Sequence, residues 1–246
     1  MRRSDRPRLS IIVPAWNEER LLPRTLDNLH AVAQATANGY ELIVVDNAST
    51  DATARIAGEH GARVVTEPER QISRARNAGA RAAGGEWLLF VDADTWPDRE
   101  LLQATVAALA GGQVCGGGTV VAFDDLPHPL YRAGARAWNA LARRLRLGAG
   151  CYLFCTRRAF AATGGFSERV YAGEEVWLSR ALRRWGRRHN QRFVILDVPV
   201  ATSGRKAEWF GLLRQAGLLA QVLLLPWTLR SRCGAWFWYT RPDKSE

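Results

Sequence analysis

The sequence is poor in cysteine, lysine and long apolar runs, and each shortage excludes a class of protein. Its four cysteines form no C-x-x-C pair and have no histidine at zinc-finger spacing. This argues against a disulfide scaffold or structural zinc site and fits a reducing compartment. The first apolar stretch, residues 9–13, ends at Pro14 and is too short for an export signal. We therefore expect a cytoplasmic protein.

Three motifs of common enzyme classes are also missing. The sequence contains no G-x-G-x-x-G dinucleotide fingerprint, no G-x-x-x-x-G-K phosphate loop and no G-x-S-x-G nucleophile elbow. Their absence disfavours a dinucleotide-dependent dehydrogenase, a P-loop NTPase and a serine esterase.

Arginine is abundant. The chain has 34 basic and 24 acidic residues, a net charge of +10, and its only lysines are Lys206 and Lys244. The planar, permanently charged guanidinium binds phosphate well, so we expect an acidic partner such as a nucleotide, a nucleic acid or an anionic membrane. With 47% hydrophobic and 24% charged residues, the composition is that of a folded domain.

Strand and helix patterns alternate through the first hundred residues. The strand-like runs cover residues 9–13, 41–45, 62–65 and 87–91. Amphipathic helix patterns cover residues 22–32, 52–57, 73–83 and 102–109. This alternation predicts an α/β fold with a Rossmann-like, doubly wound and mainly parallel sheet, whose ligands lie at the carboxyl ends of the strands.

The second half is less regular. We predict strands at residues 119–123, 151–155 and 193–196, a basic helix at 132–145, a helix beginning at Glu174, and an apolar helical tail over 209–227. We expect both halves to share one continuous sheet.

Asp92-Ala93-Asp94 follows the fourth predicted strand. Because a strand projects alternate residues to one side, both carboxylates face a common target at the ligand-bearing edge. Carboxylates repel a diphosphate unless a cation lies between them, and hard oxygen ligands favour Mg²⁺ or Mn²⁺. The alternative is a solvated turn in which an aspartate caps the next helix.

Two more acidic residues follow strand ends. The Asp46 carboxylate can accept hydrogen bonds from a base or a ribose edge. Asp51 is more readily the N-cap of the next predicted helix. Glu18 either binds ribose hydroxyls or interacts with the dipole of the following helix.

Several arginines surround Asn77-Ala78-Gly79, and one that pointed inward would suffice as a phosphate contact. The doublet Gly164-Gly165 indicates a turn, a special backbone or a close approach by substrate. The segment 203–206 is a basic loop that either closes over a diphosphate or stays solvated.

Taken together, these segments resemble glycosyltransferase family 2, which has the GT-A fold. The resemblance rests on five stretches, which in order are IIVPAWNEE (11–19), IVVDNASTD (43–51), RNAG (76–79), FVDADT (90–95) and GGF followed by GEE (164–166 and 173–175). It extends over about residues 8–205.

The resemblance implies inverting transfer from a nucleotide-diphosphate sugar to a hydroxyl acceptor, assisted by Mn²⁺ or Mg²⁺. The implied donor-binding residues are Pro14, Asn17, Glu18, Asp46, Arg76, Asp92 and Ala93, with Asp94 as the metal ligand. Arg74 is the rival of Arg76 for a phosphate or base contact. No Q-x-x-R-W signature of processive synthases is present, so addition of a single sugar is expected.

The implied general base is Glu175, with Glu174 as its competitor. The family usually has aspartate at the second position of this pair, so the longer side chain is a departure from its pattern. Successive helical residues point about 100° apart, so the two carboxylates should not reach the same hydroxyl. From the residues alone, the pair is ordinary acidity at a helix N-terminus.

We expect a GT-A domain over residues 1–207, with a donor-binding half at 8–110 and an acceptor-binding half at 111–207, followed by a helical tail at 208–246. The tail has 13 uncharged residues from Gln215 to Trp227, too few to span a bilayer. It either packs on the core, the favoured alternative, or lies in a membrane interface beside a lipid-linked acceptor.

Three function classes remain. They are a metal-dependent glycosyltransferase, a GT-A-like protein that binds nucleotide without transfer, and an arginine-rich nucleic-acid binder. The arginines are dispersed and no RNA-binding motif is present, so we expect no nucleic-acid partner.

Overall fold

The computed structural model describes residues 7–37, 39–124, 128–205 and 225–240, together with residues 209, 214, 217 and 221. Its strands are β1 (Leu9–Ala15), β2 (Tyr40–Asp46), β3 (Arg63–Thr66), β4 (Trp87–Val91), β5 (Thr95–Trp96), β6 (Val114–Phe123), β7 (Tyr152–Thr156) and β8 (Arg192–Thr202). Its α-helices are α1 (Leu22–Gln34), α2 (Thr53–Glu59), α3 (Ile72–Ala82), α4 (Arg99–Ala110), α5 (Pro129–Leu145), α6 (Arg157–Thr163), α7 (Glu174–Arg188) and α8 (Trp236–Tyr239).

All eight strands form one sheet in the order β3-β2-β1-β4-β7-β6-β8-β5. Strand β1 pairs in parallel with both β2 and β4, β2 with β3, and β6 with β8, whereas β7 is antiparallel to its two neighbours. This confirms the predicted mainly parallel α/β fold and the continuity of the sheet through both halves.

The first half forms as the pattern predicts because β1, β2 and β4 are buried on both faces, whereas the edge strand β3 is largely exposed. In β1, Ile11 and Val13 pack into one apolar cluster while Ile12 packs into the cluster on the opposite face. Successive strand side chains point to opposite faces, so both layers of helices are anchored on the same strands. Helix α4 begins where the Asp98 carboxylate accepts a hydrogen bond from the Leu101 amide at 2.8 Å.

The predicted strand at 119–123 is too short, because β6 begins at Val114 and includes the three glycines before it. A Cβ at Gly117 would lie 2.5 Å from both the Phe154 ring and the Val194 carbonyl oxygen. The glycines therefore serve close strand packing and do not mark a loop. Strand β8 is also longer than predicted, and the short elements β5 and α6 were not predicted.

The predicted helical tail at 209–227 lies largely outside the described residues, as does its boundary at 208. The chain end that is described comprises a 3₁₀-helix (Pro226–Arg230) and α8. Tyr239 is buried beside Tyr171, and the Tyr239 carbonyl accepts a hydrogen bond from Arg70 at 2.5 Å. This described part packs on the domain, although Trp227 is 60% exposed, and the position of the helical tail itself stays a prediction.

Candidate donor and acceptor site

The carboxyl ends of three parallel strands meet at one edge of the sheet. Strand β1 ends at Ala15, β2 at Asp46 and β4 at Val91. The loops that follow them carry most of the predicted donor-binding residues. Open α/β sheets bind ligands in the crevice at this edge.

The first two loops are tied to each other. Asn17 and Ala48 have φ values of 53° and 61°, a left-handed conformation that is uncommon for residues other than glycine. The Asn17 carboxamide oxygen accepts a hydrogen bond from the Thr50 amide at 2.7 Å, and the Asn17 amide donates to Ser49 Oγ at 3.0 Å. Asn17 thus links the loops, and its contact with a nucleoside stays a prediction.

The aspartates of the second loop also support the backbone. Asp46 Oδ1 accepts a hydrogen bond from the Ser49 amide at 3.1 Å, and the side chain is buried. Asp51 Oδ1 accepts a hydrogen bond from the Thr53 amide at 3.0 Å, at the first residue of α2. Asp51 supports the first turn of α2 but is not its N-cap, which is Ala52. Asp46 does not line the cavity in the crevice.

A cavity of about 110 Å³ occupies the crevice. Five predicted donor-site residues line it, and these are Pro14, Glu18, Asp92, Ala93 and Asp94. Ligand pockets usually have volumes of roughly 300 to 1,000 Å³. A nucleotide sugar would therefore have to displace some of the lining side chains.

Arg205 fills part of this crevice and joins two predicted donor-site carboxylates. Its Nη2 lies 2.6 Å from Glu18 Oε1 and 2.8 Å from Asp94 Oδ2, while Nη1 donates to Glu18 Oε2 at 2.9 Å. Burial lowers the pKa of Arg205, but its hydrogen bonds and ion pairs with Glu18 and Asp94 outweigh this and raise it. The guanidinium is thus a fixed positive charge between the two acids.

Arg76 is the inward-pointing arginine, and it contacts protein groups. It is only 3% exposed, and it donates to Asp92 Oδ1 at 2.8 Å, to Glu174 Oε1 at 2.5 Å and to the Gly150 carbonyl at 2.8 Å. Burial lowers its pKa, but the surrounding carboxylates raise it overall. The predicted phosphate or base contact is not the arrangement seen, because these acceptors hold the guanidinium inside the protein.

Its rival Arg74 lies in a separate, more exposed acidic group. It pairs with Glu67, Glu69 and Glu168 at 3.2 to 3.4 Å. The structure therefore connects Arg76, and not Arg74, to the crevice.

Arg76 joins the crevice to the predicted catalytic pair at the start of α7. Glu174 is buried against the guanidinium, whereas Glu175 is partly exposed beside Gly150. A Cβ at Gly150 would lie 3.6 Å from the Glu175 carboxyl carbon and 3.4 Å from Arg76 Nη2. The two glutamates thus have different surroundings, as their helical spacing predicts.

Burial is the main cause of the raised pKa of both glutamates, and the nearest charge acts in opposite directions on the two. Burial raises the pKa of Glu174, although the charge of Arg76 opposes this. Burial, followed by repulsion from Glu174, raises the pKa of Glu175 to about 8. A carboxylate with a pKa near the working pH is suited to accept a proton.

The RNAG stretch also fixes the glycine doublet. Asn77 Nδ2 donates to the Phe166 carbonyl at 2.9 Å, and the Phe166 amide donates to Asn77 Oδ1 at 3.0 Å. Gly164 and Gly165 have φ values of 81° and 73°, and a Cβ at Gly165 would lie 2.7 Å from Asn77 Oδ1. The doublet therefore has a special backbone, and the close approach at Gly165 is made by Asn77.

Several crevice residues were not predicted from the sequence. Asn47, Trp209 and Trp238 line the cavity, and Arg205 was considered only as part of a basic loop whose next residue, Lys206, lies outside the described residues. Asn47 follows Asp46 within residues 43–51, one of the stretches that resemble the family, so its place in the crevice could have been predicted. Trp238 comes from a helix about 140 residues beyond the last of the strand-end loops, and no pattern connects the two.

Asp94 and Asp92 suit a divalent cation that is shared with a diphosphate. Among the described residues, no group of three or more His, Cys, Asp or Glu side chains forms a metal site made by protein alone. Mg²⁺ is typically bound by one or two carboxylates together with substrate phosphates, and the two aspartates supply that number. Arg205 contacts Asp94 Oδ2, so a cation at Asp94 would compete with this guanidinium for the same oxygen.

None of the helices described in the structure is long and apolar enough to cross a membrane.

Comparison with known proteins identifies the sequence pattern. The family model described as glycosyl transferase family 2 matches residues 10–161. An uncharacterized glycosyltransferase of Mycobacterium tuberculosis is 40% identical over 104 residues, which cover 42% of this chain and 44% of the relative. A dolichyl-phosphate β-glucosyltransferase of Drosophila melanogaster is 38% identical over 118 residues, 42% of this chain and 36% of the relative. These matches span less than half the length of either curated relative.

Two solved structures are similar over most of the chain. A mannosyltransferase from Pyrobaculum calidifontis, in complex with GDP-Man and Mn²⁺, aligns with a TM-score of 0.67 and 26% identity, covering 88% of this chain and 63% of that one. Glucosyl-3-phosphoglycerate synthase from M. tuberculosis, in complex with Mn²⁺, UDP and phosphoglyceric acid, aligns with a TM-score of 0.62 and 21% identity. It covers 92% of this chain and 79% of that one, and it shows the shared fold.

Proposed function

The chain belongs to glycosyltransferase family 2, and from this we propose that it transfers a single sugar from a nucleotide-diphosphate sugar to a hydroxyl acceptor, with inversion at the anomeric carbon. The observation that carries the proposal is the position of Arg76. It bonds Asp92, which lines the crevice, and Glu174, which adjoins Glu175. Donor-binding and proton-accepting groups therefore lie on either side of one buried guanidinium.

On the donor side, Glu18 would bind ribose hydroxyls once Arg205 releases it. Asp94, with Asp92 beside it, would hold Mn²⁺ or Mg²⁺ together with the diphosphate. When bound, the cation would offset negative charge on the departing nucleoside diphosphate. The released Arg205 would remain within reach of the diphosphate, because it already lines the same cavity.

On the acceptor side, Glu175 is the general base. The acceptor oxygen attacks the anomeric carbon as Glu175 takes the hydroxyl proton, and the bond from that carbon to the diphosphate oxygen breaks. Glu174 is unsuited to this role because Arg76 holds its carboxylate at 2.5 Å. The single displacement inverts the anomeric configuration.

The acceptor is a hydroxyl compound, and a lipid-linked acceptor is one candidate because a curated relative is named for dolichyl phosphate. Contact of the tail with a membrane concerns residues that are largely outside the described part of the chain. A cytoplasmic location also stays a prediction.

The experiment is a screen of UDP- and GDP-sugars for Mn²⁺-dependent release of nucleoside diphosphate, with and without simple hydroxyl acceptors. The wild-type chain is compared with Asp94→Ala and with Asp27→Asn, a change on the exposed face of α1. We expect turnover by wild type and Asp27→Asn only. If nucleotides bind but no donor is cleaved, the chain is a nucleotide-binding protein without transferase activity and the proposal fails.

A further inference from the structure

Helix α5 exposes an apolar stripe. Of its 17 residues only Ala142 is buried, and Leu130, Leu141 and Leu145 are 61%, 44% and 42% exposed. Leu141 and Leu145 are four residues apart, and Leu130 precedes Leu141 by eleven, about three turns, so all three lie on one side of the helix. Exposed apolar residues that share one helix face are a candidate contact surface.

A group of four arginines adjoins the C-terminal end of this stripe. The arginine cluster consists of Arg146, which follows α5, and Arg180, Arg183 and Arg187 of α7. Within the described ranges, no carboxylate lies within 4 Å of their guanidinium groups. Burial and repulsion from the other three lower the pKa of Arg183, as expected where positive charge is not compensated.

The C-terminal end of the stripe adjoins the arginine cluster. Arg183 Nη1 donates to the Leu145 carbonyl oxygen at 2.5 Å, so the last turn of α5 is held against the arginines of α7. Leucines beside uncompensated arginines complement a phospholipid surface, in which acyl chains lie next to anionic headgroups.

We propose that the leucine stripe of α5 and the arginine cluster form a docking surface for an anionic phospholipid membrane. Nucleic acid would use the arginines but would leave the three leucines exposed to water, so the combination favours lipid. The proposal does not depend on the glycosyltransferase activity. Arg187, the member of the cluster farthest along α7, is twelve residues, or about 18 Å, beyond Glu175.

The test measures partition of the full chain onto vesicles of phosphatidylcholine with phosphatidylglycerol and onto vesicles of phosphatidylcholine alone. One double variant is Arg180→Gln/Arg187→Gln and the other is Leu141→Ser/Leu145→Ser. The matched control replaces two exposed arginines elsewhere, Arg81→Gln/Arg99→Gln. Circular dichroism melting of each variant checks that the fold is kept.

We expect binding to the anionic vesicles only, weakened by added salt. The arginine variant should lower the partition coefficient by roughly 30-fold, at about 1 kcal/mol for each arginine near the surface. The leucine variant should lower it by roughly 10-fold through lost apolar burial. The control should bind like wild type.

Three outcomes would overturn the proposal. The first is equal binding by wild type and both double variants, which would assign the contact to another segment such as the tail. The second is no binding to anionic vesicles by the wild-type chain. The third is binding of a single-stranded oligonucleotide that the arginine variant loses and the leucine variant keeps, with no difference between the variants on vesicles.

Discussion

The pH dependence of transfer gives a direct test of Glu175. Its pKa is raised to about 8 by burial and by the neighbouring charge of Glu174. A general base acts only when deprotonated, so kcat/KM should rise with pH and level off above this pKa. With a pKa of about 8, roughly a tenth of molecules carry the charged base at pH 7 and roughly nine-tenths at pH 9. The expected rise is therefore about tenfold between these pH values.

Replacing Glu175 by glutamine keeps the shape of the side chain and removes the proton acceptor. We expect kcat/KM to fall by roughly 10²- to 10⁴-fold, which is the usual contribution of a general base, and the remaining activity to lose the rise with pH. Binding of the nucleoside diphosphate should be unchanged, because Glu175 does not line the donor cavity.

The assay measures initial rates with donor and acceptor both below their KM, so that the profile reports the free enzyme. Glu100→Gln, on the exposed face of α4, is the matched control and should keep the wild-type profile. If Glu175→Gln keeps more than about a tenth of wild-type kcat/KM, or keeps the pH rise, the assignment of the base is wrong.

Three further predictions concern the surroundings of the site. Glu174→Gln should move the rise in kcat/KM to lower pH, because it removes the charge that raises the pKa of Glu175. Arg205→Gln should increase the affinity of the nucleotide-free protein for Mn²⁺, measured by electron paramagnetic resonance, by roughly tenfold as a competing positive charge is lost; unchanged affinity would contradict the competition for Asp94. Gly79→Ala should lower the free energy of unfolding by about 1 to 3 kcal/mol in urea denaturation, because its Cβ would lie 2.3 Å from Ile12 Cγ2. The control Gly58→Ala, in α2 with no atom within 4 Å of the new Cβ, should be neutral or slightly stabilising.

The N-terminal half could be predicted because its apolar sequence runs are also the strands that are buried in the sheet. Strands β1, β2 and β4 are continuous apolar runs, and each is followed by a polar loop at the same sheet edge. Asp92 and Asp94 line the crevice as expected, but strand alternation is the wrong reason: β4 ends at Val91, and the two aspartates lie in a turn closed by the hydrogen bond from the Thr95 amide to the Asp92 carbonyl. The glycines of β6 misled the pattern because they reflect neighbours on β7 and β8, which are distant in sequence.

The connections between the predicted residues could not be read from spacing. Helical spacing allowed one arginine to point inward, but only the fold shows that Arg76 bridges Asp92 and Glu174. The bridge from Glu18 to Arg205 joins residues 187 positions apart in the chain. Such pairs depend on how the second half folds back over the first, for which the sequence carries no local signal.

The central claim is that the crevice between Glu18 and Asp94 binds a nucleoside diphosphate together with a divalent cation. Isothermal titration of the wild-type chain with UDP and with GDP, in Mn²⁺ and in a chelator, tests it most directly. We expect at least one of the two nucleotides to bind in Mn²⁺, and chelation or Asp94→Ala to abolish this binding. The claim is contradicted if neither UDP nor GDP binds, or if binding is unaffected both by removal of Mn²⁺ and by Asp94→Ala.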